Sequence, residues 1–331
     1  MNDTARHPYE SLQPDLILDA VELLGYRCDG RLQALNSYEN RVFQIGVEED
    51  RAVVAKFYRP GRWSDAAIIE EHEFTRELAE QELPVLAPIA GDNGWTLHES
   101  GGFRFAVYRN QGGRAPELDQ PQDLTRLGRC IARLHNIGAL RDFRERPVLS
   151  VASHGHAARQ TILDSGLLPD DVRESYAAIS EQLLTGIERC YERAGRVRQL
   201  RLHGDCHPGN ILLHDDAMWL LDFDDCCTGP AIQDLWLFLS GERDYMTARL
   251  NDLLEGYTEF REFDPRELHL VEALRGLRLL HHSAWLARRW DDPAFPQAFP
   301  YFNSRRYWDE TILNLREQAG QLDEPPLEWW P

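Results

Sequence analysis

The stretch Leu202-His203-Gly204-Asp205-Cys206-His207-Pro208-Gly209-Asn210, running on to Leu221-Asp222-Phe223-Asp224, decides how the rest of the chain is read. Within it, Ile211-Leu212-Leu213 and Met218-Trp219-Leu220-Leu221 are short apolar runs separated by His214-Asp215-Asp216-Ala217, the pattern of a β-hairpin with a polar turn. A hairpin returns the chain to where it started. Asp205 and Asn210, before its first strand, are therefore expected near Asp222, beyond its second, so that three oxygen-bearing side chains converge.

Such a set suits Mg²⁺, which prefers oxygen ligands, keeps several waters and is shared with substrate phosphates. It also suits phosphoryl transfer, in which the protein chiefly positions the nucleophile and neutralises phosphate charge. An Asp, an Asn five positions on, a hairpin and a second Asp is the spacing kinases use. In this reading Asp205 takes the proton of the attacking hydroxyl, Asn210 holds the metal, and Asp222 bridges metal and phosphates. The competing reading is an ordinary Asp/Asn-rich surface turn. His203, Cys206, His207, Cys226 and Cys227 crowd the same loops, but no Cys-x-x-Cys knuckle is present to favour zinc. A deprotonated, exposed thiol at Cys206, Cys226 or Cys227 would open the site to oxidation.

The chain has 331 residues, 43% of them apolar, enough for two lobes with sizeable cores. Its 55 acidic against 36 basic residues give a formal charge of −19, which opposes binding to nucleic acid. The same field could attract cationic substrates. Residues 1–12 are polar, and no later stretch is apolar for long enough to span a bilayer, so a soluble, cytoplasmic monomer without membrane partners is expected. The six cysteines, at 28, 130, 190, 206, 226 and 227, form no secreted-type framework and are expected to be reduced.

Apolar periodicity predicts a helix over 14–24, strands over 32–35, 41–46 and 51–58, a helix over 68–81, and strands over 96–99 and 104–108. The polar junction Asn110-Gln111-Gly112-Gly113-Arg114 marks a lobe boundary. Helices are expected over 122–137 and 171–194, and the part from 251 to 322 is helical by pattern, with 268–290 and 307–319 its longest pieces. The fold class is α+β: an antiparallel-sheet lobe over 1–110 with one key helix, and a larger, mainly helical lobe over 111–331.

His203-Gly204-Asp205-Cys206-His207-Pro208-Gly209-Asn210 resembles the catalytic loop of the aminoglycoside phosphotransferase and choline kinase superfamily, in which a His replaces the Arg of the protein-kinase loop. The segments Leu35-Asn36-Ser37-Tyr38-Glu39-Asn40-Arg41-Val42-Phe43 and Val54-Ala55-Lys56-Phe57-Tyr58-Arg59-Pro60-Gly61-Arg62-Trp63 resemble one branch of it, the bacterial stress-response serine/threonine protein kinases. That resemblance implies a bilobal protein-kinase-like fold, ATP as co-substrate, Mg²⁺ as cofactor and a protein Ser or Thr as acceptor. The catalytic loop is equally at home in kinases of small alcohols such as an aminoglycoside, choline or homoserine.

The resemblance also implies roles for residues elsewhere. Lys56 would bind ATP phosphates and pair with a Glu of the following helix. Glu71 shares the stripe of Ile68, Phe74 and Leu78 and is the first choice, with Glu73 in reserve; Glu70, Glu73 and Glu77 lie nearer the polar flank. Residues 36–40 stand where kinases often carry a Gly-rich phosphate loop but lack the glycines, leaving Ser37 and Asn40 either as phosphate ligands or as a simple polar turn. Backbone near Tyr108 would meet adenine. Asp234 resembles the superfamily's structural Asp, and His135 reads as structural. Gly229-Pro230 follows Asp222 too closely for a long activation loop. Trp329-Trp330-Pro331, after Pro325-Pro326, either packs back or docks a partner.

Overall fold

The computed structural model describes residues 8–330. The chain forms two compact units: one from the chain up to Pro116 with Arg144–Arg146 and Gly209–Asp224, the other from Glu117–Phe143, Pro147–Pro208 and the chain from Asp225 on.

In the first unit, helix α1 (Pro14–Glu22) leads into β1 (Cys28–Leu35), β2 (Arg41–Val47) and β3 (Val53–Phe57). Helix α2 (Asp65–Glu80) follows, then β4 (His98–Ser100) and β5 (Phe103–Arg109). The strands make one antiparallel sheet in the order β1-β2-β3-β5-β4. Successive side chains alternate faces. Val53, Ala55 and Phe57 join Ile45, Phe105, Val107 and the α1 residues Ile17, Ala20 and Val21 in one core, with Phe57 stacked on Phe105 at 5.2 Å. Lys56, paired across the ladders with Val42 and Ala106, takes the opposite face, where Tyr58 and Ala106 pack with Ile68 of α2.

Several element ends differ from expectation for local reasons. Helix α2 begins before residue 68 because Ser64 caps it, its Oγ accepting the Ala67 N–H at 3.1 Å. Strand β1 begins before residue 32 through an irregularity in its pairing between Cys28 and Leu32, and the polar Asp29, Gly30 and Arg31 there carry no strand pattern. The expected strand over 96–99 is displaced to His98–Ser100.

The hairpin of Ile211–His214 and Ala217–Leu220 pairs His214 with Ala217. Its two turn residues, Asp215 and Asp216, both have positive φ, 47° and 61°, as a two-residue type I′ connection needs. It is bound to the first unit: Leu220 donates to the Pro84 carbonyl at 2.9 Å, and Arg114 and Leu213 exchange backbone bonds at 3.1 and 2.8 Å.

The second unit is mainly helical: α3 (Pro121–Gly138), α4 (Ala157–Asp164), α5 (Asp170–Ala194), α6 (Arg243–Thr258), α7 (Val271–Arg288), α8 (Ala294–Ala298) and α9 (Arg305–Gln321). Helices α3 and α6 touch backbone to backbone because glycines face each other. A Cβ on Gly128 would lie 2.0 Å from the Leu253 oxygen, and one on Gly256 would lie 1.8 Å from that of Thr125. The expected helix over 268–290 divides into a 3₁₀ segment, Pro265–Leu270, and α7. The chain's end packs back: Trp329 meets Phe263 edge-on at 5.7 Å, and Asn251 bonds both the Glu328 carbonyl and the Trp330 N–H at 3.0 Å. Among the described residues, no helix is long and apolar enough to cross a membrane.

Candidate active site

Lys56 is buried, yet its ammonium has three carboxylates in reach: Asp222 Oδ1 at 2.9 Å, Asp224 Oδ1 at 3.2 Å and Glu71 Oε1 at 3.5 Å. Burial alone would push its pKa down, but Asp222, Asp224 and Glu71 overcome that and hold it well above the ordinary value. Glu71, whose position on the apolar stripe of α2 singled it out, is the helix glutamate that meets Lys56, while Glu73 is exposed. Burial pushes the Glu71 carboxyl up to about 6, against the opposing pull of Lys56. Glu70 instead accepts the backbone N–H groups of Arg144, Glu145 and Arg146 at 2.6–2.8 Å.

Asp224, Arg62 and Arg146 complete this cluster without having been singled out from the sequence. Arg62 forms an ion pair with Asp224, and Arg146 donates to the Asp224 carbonyl at 2.5 Å while lying 4.1 Å over the Trp63 ring. Burial works against the Asp224 charge, but Arg62, Lys56 and Arg146 hold its carboxyl well below the usual carboxylate range. The available signal was the triplet Asp222-Phe223-Asp224, in which only the first Asp matched a kinase position.

Asp222 differs from Asp224 in exposure and strain. Its side chain is 50% exposed, against 4% for Asp224. Its φ of 38° lies in the left-handed region, which a non-glycine residue enters at a cost of order 1–3 kcal/mol. Asn210 stands at the other strand's end, its carbonyl accepting the N–H of Leu221, the residue before Asp222, at 2.9 Å. Among the described residues there is no group of three or more His, Cys, Asp and Glu suited to a metal. One amide and one half-exposed carboxylate match a hard cation that takes its other ligands from water and phosphate, and do not match zinc.

The other residues expected to contact nucleotide sit as follows. Ser37 is half-buried in the turn between β1 and β2. Asn40 is buried, and its Oδ1 accepts the Arg59 N–H at 3.1 Å, tying that turn to the chain beyond β3. Tyr108, opposite Val54 in the sheet, has its hydroxyl 3.1 Å from that of Tyr58, which stands 2.7 Å from His72 Nε2.

Asp205 belongs to the second unit, where its loop is clamped from behind. Asp234, fully buried, accepts the N–H groups of His203 and Gly204, each at 2.8 Å, and His135 Nε2 lies 3.1 Å away. Since the Asp234 oxygens accept, His135 Nε2 carries the proton, and its Nδ1 accepts from the Tyr257 hydroxyl at 2.9 Å. Gly204 has φ 87°, and a Cβ there would come within 2.1 Å of the Asp225 oxygen. Asp205 itself accepts from Arg278 Nη1 at 2.7 Å through Oδ1, and His207 Nε2 lies 3.4 Å from Oδ2. Burial opposes its charge, but His207 and Arg278 hold the carboxyl well below the usual range. Nothing in the sequence pattern distinguished Arg278, which lies far along the chain on α7.

The oxidation reading is corrected by the structure. Cys206, Cys226 and Cys227 are all buried, without the exposure that oxidation requires, and at Cys206 burial also pushes the thiol well above its ordinary pKa.

A two-part fold with a five-stranded antiparallel sheet, a buried lysine–glutamate pair and a clamped His-Gly-Asp loop defines a kinase-like phosphotransferase. The phosphotransferase enzyme family profile matches residues 31–271, and the chain belongs to that family. It is 42% identical over 331 residues to stress response kinase A of Salmonella choleraesuis (strain SC-B67), covering 100% of this chain and 99% of the relative. It is equally similar, with the same coverage, to a Salmonella typhimurium protein named serine/threonine protein kinase RdoA. Among solved structures, amicoumacin kinase hAmiN shares the fold with a TM-score of 0.73 at 19% identity, over 95% of this chain and 94% of that one. The protein is thus a kinase, a transferase of phosphoryl groups.

Proposed function

We propose that this kinase is an ATP- and Mg²⁺-dependent serine/threonine protein kinase serving a bacterial stress response. The observation that carries the reading is the 42% identity, spread over the whole chain, to relatives named as stress response and serine/threonine protein kinases. Residues 1–110 act as the nucleotide-binding lobe and 111–331 as the catalytic and substrate lobe, with the hairpin carrying Asn210 and Asp222 counted with the first in packing.

In this reading Lys56, oriented by Glu71, binds ATP phosphates. Ser37 adds a hydroxyl to them, Asn40 acts by holding the turn, and the backbone at Tyr108 meets adenine. Asn210 and Asp222 would hold Mg²⁺, which when bound neutralises phosphate charge. Asp205 receives the proton of the acceptor hydroxyl. Its low basicity is no obstacle to orienting that hydroxyl, since positioning and electrostatics supply most of the catalysis in phosphoryl transfer.

The test pairs two variants of the full chain with labelled ATP and Mg²⁺. Asp205→Ala is expected to keep nucleotide affinity and lose transfer, whereas Asp222→Ala loses metal-dependent nucleotide binding. Wild-type transfer by Asp205→Ala would remove that Asp from its role. Protein acceptors are compared with a panel of aminoglycosides, choline and homoserine; label in the small alcohols alone would overturn the protein-kinase reading.

A further inference from the structure

Arg278 is oddly placed for a site whose Asp must face an incoming hydroxyl. Its guanidinium bonds Asp205 Oδ1 at 2.7 Å, and His207 stands 3.4 Å from the other oxygen, so an acceptor hydroxyl must compete with Arg278 for Oδ1. The same Arg278 forms part of the wall of a cavity of about 400 Å³ in the second unit, together with Trp236, His282, Ser283, Tyr307 and Asn314. Among the described residues lining that cavity there is no Asp or Glu. Arg275, the neighbouring cation, is already committed: it bonds Glu272 Oε2 at 3.1 Å and the Leu239 carbonyl at 2.8 Å, and lies over the Trp236 ring. Arg278 is half-exposed, on a long flexible stem, and touches both Asp205 and the cavity.

We propose that the cavity receives a carboxylate side chain of the protein acceptor, and that Arg278 exchanges Asp205 for this carboxylate. The acceptor class is then a Ser or Thr flanked by Asp or Glu. Without the acceptor, Arg278 engages Asp205 Oδ1; with it, the guanidinium finds a second carboxylate of matching geometry and leaves Oδ1 to the hydroxyl. The hydroxyl proton then passes to Asp205 as its oxygen bonds to phosphorus and the bond to the departing diphosphate breaks. A neutral acceptor gives Arg278 no reason to move. The formal charge of −19 does not override this. Exposed charges beyond a Debye length of roughly 8 Å are largely screened at physiological salt, whereas the Arg278 contact is direct. The inference rests on the protein-kinase reading and supplies its substrate class.

The test uses the full chain, MgATP and three peptides identical except for Asp, Asn or Lys beside one Ser. The Asp peptide is expected to exceed the Asn peptide about tenfold in kcat/KM, the weight of one charge-assisted hydrogen bond. In Arg278→Gln the ratio falls to about one, with the Asn peptide improved because its hydroxyl no longer competes with Arg278 for Oδ1; Arg278→Lys keeps part of the preference. Equal rates on the Asp and Asn peptides in the wild type would overturn the proposal. A calorimetric arm measures binding of the same peptides without nucleotide, which separates the two readings. Transfer to small alcohols and to no peptide defeats the protein-kinase reading. In that case, tighter binding of the Asp peptide by the wild type alone still supports the carboxylate site, and equal binding overturns it.

Discussion

Replacing Asp234 by Asn tests whether the catalytic loop is held from behind or merely packed. Asp234 accepts two backbone N–H groups at 2.8 Å and faces His135 at 3.1 Å, with Asp234, His135 and His203 all fully buried. An Asn keeps one acceptor oxygen but turns an NH₂ group toward a donor that the Asp oxygen had satisfied. At least one hydrogen bond to a charged group is lost, worth about 1.5–3 kcal/mol, and a buried N–H or imidazole N–H is left without an acceptor. The local loss is therefore about 3 kcal/mol. At 1.4 kcal/mol per factor of ten, the amides of His203 and Gly204 should exchange with solvent about a hundredfold faster. Because those amides precede Asp205 directly, kcat should fall at least tenfold while the KM for ATP holds, the pattern of a positioning residue. The measurements are amide exchange by mass spectrometry on the 200–208 segment and steady-state kinetics of transfer. Exchange within about threefold of wild type, with kcat unchanged, would refute the clamp.

Glu71→Gln tests the buried cluster through pH. The carboxyl is raised to about 6 by burial, so the fold favours its neutral form, and ionising it between its ordinary value near 4.3 and about pH 6 costs stability. A permanently neutral Gln should raise the urea midpoint more at pH 7 than at pH 5 while lowering kcat through a loosened Lys56; a larger gain at pH 5 would contradict the shift. Gly128→Ala should destabilise by about 2 kcal/mol, since the added Cβ meets the Leu253 oxygen at 2.0 Å and the helix-propensity gain of about 1 kcal/mol offsets only part of the overpacking. Gly320→Ala, on α9 with nothing within 4 Å of the added carbon, should instead stabilise by roughly that propensity gain, and chemical denaturation of both variants checks the contrast.

What could be read in advance was what local pattern encodes. The stripe of Ile68, Phe74 and Leu78 puts Glu71 on the packed face of α2, and it is there that Lys56 meets it. The two apolar runs around Asp215 and Asp216 form the hairpin, since Asp tolerates the left-handed conformation that its turn demands. Arg278 left no such trace. It is one of several arginines on and around α7, and its partner Asp205 is 73 residues away in sequence. Arg62 and Arg146 were hidden for the same reason, because an ion pair between distant segments imposes no spacing on either.

The cluster around Lys56 divides by burial into a fixed part and an exchangeable part. Asp224 is almost wholly inside, paired with Arg62 and Lys56 and bonded through its carbonyl to Arg146, and removing Arg62 would break a buried ion pair at a cost of about 3–5 kcal/mol. Asp222 holds the same lysine from the solvent side, half-exposed, on strained backbone. Water can solvate Asp222 when that pair opens, whereas the buried Asp224 and Glu71 have no such replacement. If Lys56 takes up ATP phosphates, as proposed, Asp222 is thus the partner it can give up, while Glu71 and Asp224 keep the ammonium in place. The carboxylate released in that exchange is the one on the hairpin beside Asn210, where the proposed function needs an unengaged oxygen ligand.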